Sequence, residues 1–325
     1  MTTMTTMTTM TTMTTMTTMT TMTTMAPEAA LHAPLSTGAP LLSSQAWGDP
    51  RGPQVWLIHG IFGSKQNWSG VAQRLSAALP ALCVRAVDLR CHGDSAGLAA
   101  PHTVRACAQD LAALAEAAGA PRALVGHSFG GKVSLAYAAR ASAAGRPLHT
   151  LWTLDSPLDS ALQPGQREVL SVLEACRAAA MPQPSRRALS EALVARGLSL
   201  GVAQWMTTNL RPRAAGGFEW RFDLDGIEAL LEDYWRLDGW ALLGLLPAST
   251  RVHLLRAERG LRWSEEASAR LRRERPTAAS PVLADAGHWV HIDQPQALHA
   301  LLASSLSALA RPEEEAPPAP PPADS

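Results

Sequence analysis

Gly126-His127-Ser128-Phe129-Gly130 is the stretch that decides the fold of this chain. It fits the pattern G-x-S-x-G, follows an apolar run at residues 122–125 and precedes a helix-compatible stretch at residues 131–140. A strand, a sharp turn and a helix are the context in which this pattern exposes a serine hydroxyl. Glycine is expected at both ends because a Cβ there would collide with the neighbouring helix or strand. We therefore predict that Ser128 is a nucleophile.

Apolar runs and helix-compatible stretches alternate on both sides of this turn. Strands are predicted at residues 54–58, 82–87, 123–125 and 148–154, and helices at residues 68–79, 104–118 and 131–140. The further predicted elements are an antiparallel edge strand, two late strands and a last helix, at residues 41–47, 252–255, 281–283 and 296–306. The strand runs are apolar throughout, which is typical of strands covered on both faces. The pattern predicts an α/β fold with a mostly parallel sheet and helices on both faces.

The alternation stops at Ser156-Pro157, and residues from about 157–247 read as helices. This segment begins just beyond the carboxyl end of a strand, where α/β sheets place their ligands. We interpret it as a helical cap over the site. Its tryptophans are expected to line an apolar acyl pocket, with a role in the core of the cap as the alternative, and they are Trp205, Trp220, Trp235 and Trp240.

Both ends of the chain have low-complexity composition. Residues 1–25 are mostly a Met/Thr repeat, and residues 311–325 are rich in Pro, Ala and Glu. Neither composition provides the apolar surface that a packed core needs, so we expect both ends to be disordered. The folded domain is then expected at residues 30–310.

Composition limits the partners and the compartment. The formal net charge is +0 and the basic residues form no stripe, which argues against nucleic acid as a partner. Cys83, Cys91, Cys107 and Cys176 form no C-x-x-C pair, which is typical of free thiols in a reducing, intracellular compartment. No apolar run approaches the length of a transmembrane segment. The oligomeric state is left open.

Acyl transfer from a serine needs a general base, an acid that orients the base, and an oxyanion hole. The predicted base is His288, which follows the last predicted strand and precedes the last predicted helix. His291 is the competing histidine, and Gly287 before His288 favours His288.

The oxyanion hole requires two backbone N–H groups near the serine hydroxyl. Phe129 is expected to supply one of them because it directly follows the serine. The second is expected from His59-Gly60-Ile61-Phe62-Gly63, which follows a predicted strand. Glycines there let the backbone approach, and either Ile61 or Phe62 would donate.

The orienting acid has three candidates in the sequence. The usual position is the loop after the next-to-last strand, where Glu258 is the carboxylate available. Asp155 ends the strand after the serine helix, and Asp225 lies in the predicted cap. All three lie between the serine and the histidine, so chain order does not discriminate. We favour Asp155 because a strand end is more rigid than a cap loop.

A site of this kind needs no metal and no organic cofactor. Five other histidines show no metal-ligand spacing, and each is interpreted as a surface or strand-end residue. They are His32, His102, His149, His253 and His299.

These residues resemble the α/β-hydrolase superfamily, in the branch that holds the mitochondrial abhydrolase-domain-containing protein eleven and bacterial YbfF-type esterases. The stretches that carry the resemblance start at residues 59, 88, 126, 218 and 286, and read HGIFGSK, DLRCHGDS, GHSFGGK, FEWRFDLD and AGHWVH. The resemblance implies an α/β-hydrolase domain with a cap, and hydrolysis of short-to-medium acyl esters.

The resemblance also bears on single residues. It implies that Ser128 and His288 are nucleophile and base, and it leaves Asp155 and Asp225 both open as the acid. Phe129 stands where the family commonly has methionine, and Cys91 where asparagine is common. A mitochondrial location is implied, with cytoplasm or plastid as alternatives.

The sequence thus predicts a serine hydrolase that cleaves carboxylic ester or thioester bonds through an acyl-enzyme. The expected partner is a small-molecule acyl ester or thioester. A non-catalytic or weakly catalytic hydrolase-fold ligand receptor or partner protein is the alternative. That alternative is motivated by the loop at the usual position of the acid, where Glu258 is the one carboxylate available.

Overall fold

The computed structural model describes residues 41–160, 165–260 and 263–311. The predicted disorder of residues 1–25, the predicted start of the domain at residue 30, and nearly all of the tail at 311–325 lie outside the described residues. Within them, no helix is long and apolar enough to cross a membrane.

A twisted sheet forms the centre of the protein. Its strands are β1 Ser44–Gly48, β2 Gln54–Ile58, β3 Cys83–Val87, β4 Pro121–His127, β5 Thr150–Leu154, β8 Arg251–Ala257 and β9 Val282–Leu283. They form a 7-stranded sheet in the order β1-β3-β2-β4-β5-β8-β9. Only the edge pair β1 and β3 is antiparallel, as the sequence predicted. The last strand is shorter than predicted.

Helices cover both faces of the sheet. They are α1 Ser69–Ala78, α2 Val104–Ala118, α3 Phe129–Ala143, α9 Glu265–Glu274, α10 Val290–Asp293 and α11 Pro295–Leu306. Side chains of β2 alternate between two apolar clusters: Trp56 and Ile58 belong to one, and Val55 and Leu57 to the other. Because successive strand side chains point to opposite faces, each face needs its own helical cover. The predicted α/β-hydrolase fold is confirmed.

A long segment is inserted between β5 and β8. Its elements are α4 Gln166–Ala178, α5 Arg186–Val194, α6 Leu200–Thr207, β6 Leu210–Pro212, β7 Phe218–Trp220, α7 Leu224–Arg236 and α8 Gly239–Gly244. The hairpin of β6 and β7 was not predicted, since each strand has three residues and Leu210 alone is buried. Gly216 and Gly217 have φ of +88° and +74°, which glycine adopts readily in the connecting turn.

Lys132 attaches both ends of this inserted segment to the helix that follows the serine. Its ammonium donates hydrogen bonds to the backbone oxygens of Asp159, Tyr234 and Leu237 at 2.8, 3.0 and 2.9 Å. The lysine side chain is fully buried, so these bonds satisfy a charge that water does not reach. The segment is therefore anchored to α3 through one side chain.

Candidate active site

Ser128 occupies the sharp turn between β4 and α3. Its φ of 52° lies in the left-handed region, which is strained for a residue with a Cβ. A Cβ at Gly126 would lie 2.2 Å from the oxygen of Gly130, and one at Gly130 would lie 2.5 Å from the oxygen of His59. The two glycines of the pattern are therefore required by close backbone packing, as the sequence predicted.

His288 and Asp155 are brought together by the fold. The Nδ1 of His288 lies 2.7 Å from Oδ2 of Asp155, which is 1% exposed at the end of β5. The other oxygen of Asp155 accepts the backbone N–H of Ala257 at 3.2 Å. Because an ionised carboxylate only accepts, Nδ1 carries the hydrogen and Nε2 keeps its lone pair. A neutral imidazole held in this tautomer is able to accept a proton from a serine hydroxyl.

The other two candidate acids make different contacts. Asp225 has a side chain that is 95% exposed and pairs with Arg177 at 2.6 Å. Glu258 is exposed at the end of β8 and accepts the backbone N–H of Asp285 at 2.8 Å. Neither of these bonds involves His288, whereas Asp155 binds it directly.

His291 lies in the core. It is 7% exposed, its ring centroid is 5.1 Å from that of Trp68, and burial lowers its pKa to about 4. A neutral, enclosed imidazole at this place serves packing, and of these two histidines it is His288 that lines the cleft.

His127 has a positioning role that sequence reasoning missed. Its Nε2 donates to the backbone oxygen of His288 at 2.7 Å. Complete burial holds the pKa of His127 well below its usual value, so the ring stays neutral and has one N–H to give. The residue before the serine thus supports the loop that carries the histidine. The signal that could have indicated this role was the position of His127 at the buried end of β4.

The backbone of Phe62 is already engaged. Its N–H donates to Nε2 of His92 at 3.1 Å, and its oxygen accepts from Nδ2 of Asn209 at 3.0 Å. His92 is able to accept because burial and the nearby His59 lower its pKa to about 3, and its Nδ1 donates to the oxygen of Arg90 at 2.8 Å. Of the two predicted donors, Ile61 is therefore the one we retain, and Phe62 is set aside.

A network of charged residues supports the loop that carries Ile61. Lys65 pairs with Asp88 at 2.7 Å and with Asp94 at 2.6 Å, and its backbone N–H donates to Asp88 at 2.6 Å. Asp88 is fully buried, so removing the lysine would leave a buried carboxylate without its counter-charge. This network gives the loop after β2 a rigid geometry.

An open cleft lies between the sheet and the inserted segment. Ser128, His288 and Trp289 line it from the sheet side, together with Ile61 and Phe62. Val169, Val172, Val202 and Trp205 line it from the inserted segment, and Glu168 lies at the same wall. The wall contributed by the insertion is thus mainly apolar.

The predicted tryptophans divide between two roles. Trp205 lines the cleft, whereas Trp220, Trp235 and Trp240 are not among its lining residues. Trp240 is 4% exposed and donates to the carboxylate of Asp159 at 2.8 Å, so it belongs to the packing of the segment. The expectation that all of them line the pocket was wrong for these three residues, because Trp240 belongs to the apolar core and Trp220 and Trp235 pack against it.

Comparisons with known proteins agree with this architecture. A family model described as Alpha/beta hydrolase family matches residues 57–301. The chain is 30% identical over 262 residues to the sn-1-specific diacylglycerol lipase ABHD11 of Mus musculus, with 77% of this chain and 79% of the relative covered. It is 30% identical over 254 residues to Esterase YbfF of Escherichia coli (strain K12), with 75% of this chain and 89% of the relative covered. A solved structure described as a marine microorganism esterase superposes with a TM-score of 0.71 at 19% identity, covering 81% of this chain and 98% of that one, which shows similarity of fold.

Proposed function

The chain belongs to the α/β hydrolase family, and from this membership we propose that it is a serine hydrolase acting on carboxylic ester or thioester bonds. The observation that carries the proposal is the 2.7 Å bond between His288 and Asp155, beside a cleft that Ser128 also lines. Nucleophile, base and acid come from three separate chain segments. Their convergence on one cleft is typical of acyl transfer from a serine.

The proposed reaction passes through an acyl-enzyme. The hydroxyl of Ser128 attacks the acyl carbonyl while Nε2 of His288 takes its proton, and Asp155 stabilises the imidazolium that forms. The imidazolium returns the proton to the leaving alcohol or thiol. A water molecule, activated by the same imidazole, then releases the carboxylic acid from the serine.

The oxyanion is proposed to bind two backbone N–H groups. Phe129 is the first residue of α3, so its N–H has no partner within the helix. Ile61 supplies the second N–H, on the loop that Lys65 and Asp88 hold. The helix dipole of α3 adds positive potential at the same place.

The inserted segment is proposed to act as a cap that binds the acyl chain. Val169, Val172, Val202 and Trp205 give the cleft an apolar wall, which favours an alkyl group over a charged substrate. The substrate proposed for this cleft is a short-to-medium acyl ester. A named relative is a diacylglycerol lipase, so glycerolipid esters belong among the substrates to be tested.

The alternative of a non-catalytic receptor rested on the poor acid loop around Glu258. Asp155 supplies a carboxylate to His288 from another strand, so this reason for the alternative loses its force. We therefore propose catalysis rather than ligand capture alone.

A fluorophosphonate probe and graded p-nitrophenyl esters test the proposal. We expect the wild-type chain to be labelled and to hydrolyse acetyl to octanoyl esters, and Ser128→Ala to lose both activities. Ser134→Ala is the matched control, because this serine is also buried in α3 but belongs to no contact with His288. Labelling that survives Ser128→Ala, or a wild-type chain that neither labels nor turns over any ester, would refute the proposal.

A further inference from the structure

Cys91, His102 and Asp223 form a cluster of potential metal ligands outside the proposed catalytic cleft. Cys91 lies in the loop after β3, His102 lies shortly before α2, and Asp223 is the N-cap residue of α7. One donor atom from each residue lies within 4.8 Å of the other two. The cluster is the one group of this kind found among residues 41–160, 165–260 and 263–311.

The imidazole of His102 lies between the other two side chains. Its Nδ1 is 3.2 Å from Sγ of Cys91, and its Nε2 is 3.7 Å from Oδ2 of Asp223. Bond lengths of about 2.0 to 2.3 Å place neighbouring ligand atoms of a tetrahedral zinc ion ~3.5 Å apart. These two distances end on different nitrogens of one ring, and an imidazole gives an ion only one nitrogen. The ring must therefore turn so that one nitrogen meets an ion that Sγ and Oδ2 also reach, and the shared limit of 4.8 Å keeps the three donors near enough for this.

Gly226 packs closely against two of these donors. A Cβ at this position would lie 2.4 Å from Sγ of Cys91 and 2.7 Å from Oδ2 of Asp223. Gly226 lies in the first turn of α7, and any residue larger than glycine would press on both the thiol and the carboxylate. Glycine is thus required at this position by the close approach of the thiol and the carboxylate.

Burial and charge at the cluster suit a cation. Cys91 is fully buried, whereas the side chains of His102 and Asp223 are 14% and 35% exposed, which leaves a route from solvent. The nearby guanidinium of Arg90 is paired with both oxygens of Asp110 at 2.6 and 2.8 Å, so its charge is compensated. Oδ1 of Asp223 accepts the N–H of Gly226, and Oδ2 faces the imidazole.

We propose that Cys91, His102 and Asp223 bind a divalent transition-metal ion of the zinc class, with water as the fourth ligand. A thiolate, an imidazole and a carboxylate are ligand types that zinc accepts together. Binding breaks the S–H bond of Cys91, forms a sulfur–metal bond and releases the proton to solvent, with no change of oxidation state.

The proposed ion joins the sheet to the inserted segment. The backbone oxygen of Cys91 already accepts the N–H of Asp223 at 3.0 Å, so the two chain segments meet at this point. His92, the next residue, accepts from Phe62 in the loop that also carries Ile61. An ion at the cluster therefore stabilises the native chain and the attachment of α7 beside that loop.

Cobalt(II) is the probe, because it occupies zinc sites and its thiolate complexes absorb in the near ultraviolet. The full chain is treated with a chelator, freed of it and titrated with Co²⁺. We expect a thiolate-to-cobalt band that saturates at one equivalent, is displaced by Zn²⁺ and is accompanied by a higher melting temperature. Binding to surface histidines gives no such band.

Variants test whether the thiolate-to-cobalt band arises from Cys91, His102 and Asp223. Cys91→Ser abolishes the band, whereas Cys176→Ser retains it, and Cys176 is a matched control because its thiol is also free and buried. Asp223→Asn keeps an acceptor for the N-cap bond and weakens Co²⁺ binding by at least about tenfold. The φ of Gly226 is outside the left-handed region, so Gly226→Ala introduces no backbone strain there. We expect this variant also to lose the band. A wild-type chain without a thiolate band at saturating Co²⁺, or a folded Cys91→Ser or Gly226→Ala chain that keeps it, overturns the proposal.

Discussion

Replacing Asp155 by asparagine is the sharpest test of the catalytic proposal, since the side chain keeps its size and loses its charge. The backbone N–H of Ala257 donates to Oδ1 of Asp155, so the amide of the variant places its oxygen there. The amide nitrogen then faces Nδ1 of His288 and donates to it. The imidazole consequently carries its hydrogen on Nε2 and has no lone pair for the proton of Ser128.

The size of the effect follows from this reversed tautomer. A triad with the wrong histidine tautomer loses about 10⁴ in kcat, which equals about 5 kcal/mol of transition-state stabilisation. We expect kcat for p-nitrophenyl butyrate to fall by about this factor, with KM changed little because Asp155 lies behind the histidine. Circular dichroism and the melting temperature check that the variant folds.

Asp225→Asn is the matched control for that experiment. Its carboxylate is 95% exposed and pairs with Arg177, so we expect kcat to stay within about twofold of wild type. If Asp155→Asn keeps kcat within tenfold, or if Asp225→Asn produces the large loss instead, the assignment of the acid is wrong.

Two further predictions concern stability. Lys132→Met leaves the backbone oxygens of Asp159, Tyr234 and Leu237 without their ammonium donor. We expect the free energy of unfolding, measured by urea titration, to fall by about 3 kcal/mol. An unchanged urea midpoint would contradict the anchoring role of Lys132. His291 has a folded pKa of about 4 against a reference of 6.5, so between these pH values the unfolded chain binds a proton that the folded chain does not. The stability that His291 contributes is therefore fully present above pH 6.5, and up to about 3 kcal/mol of it is lost as the pH drops to 4. The buried His92 and His127, whose pKa values are also lowered, add to the decline. His291→Phe should flatten this decline, and an equally steep decline in the variant would remove His291 as its cause.

Features that depend on neighbours in the chain were predictable. The strand, turn and helix around Ser128 could be inferred because backbone geometry and glycine requirements act over a few residues. The buried strands were recognisable for the same reason, since their apolar runs are continuous. The hairpin of β6 and β7 carried no such pattern, and it was missed.

Features that depend on contacts between distant residues were harder to predict: the rigidity of a strand end favoured Asp155 as the acid but did not exclude the other two carboxylates. Asp155, Asp225 and Glu258 all satisfy the chain order, and only the pairing of β5 with β8 places Asp155 against Ala257 and His288. The choice between Ile61 and Phe62 likewise depended on a contact with His92.

The local patterns of this chain were enough to specify an α/β sheet, a serine on a tight turn and a histidine near the last helix. They act within a few residues, where dihedral preferences and burial periodicity leave a visible trace. Folding in three dimensions placed the carboxylate of Asp155 against His288 and the amide of Phe62 against His92. It also assembled Cys91, His102 and Asp223 from separate segments. Hydrogen bonds and ligand geometry depend on distances through space, which residue order alone does not set.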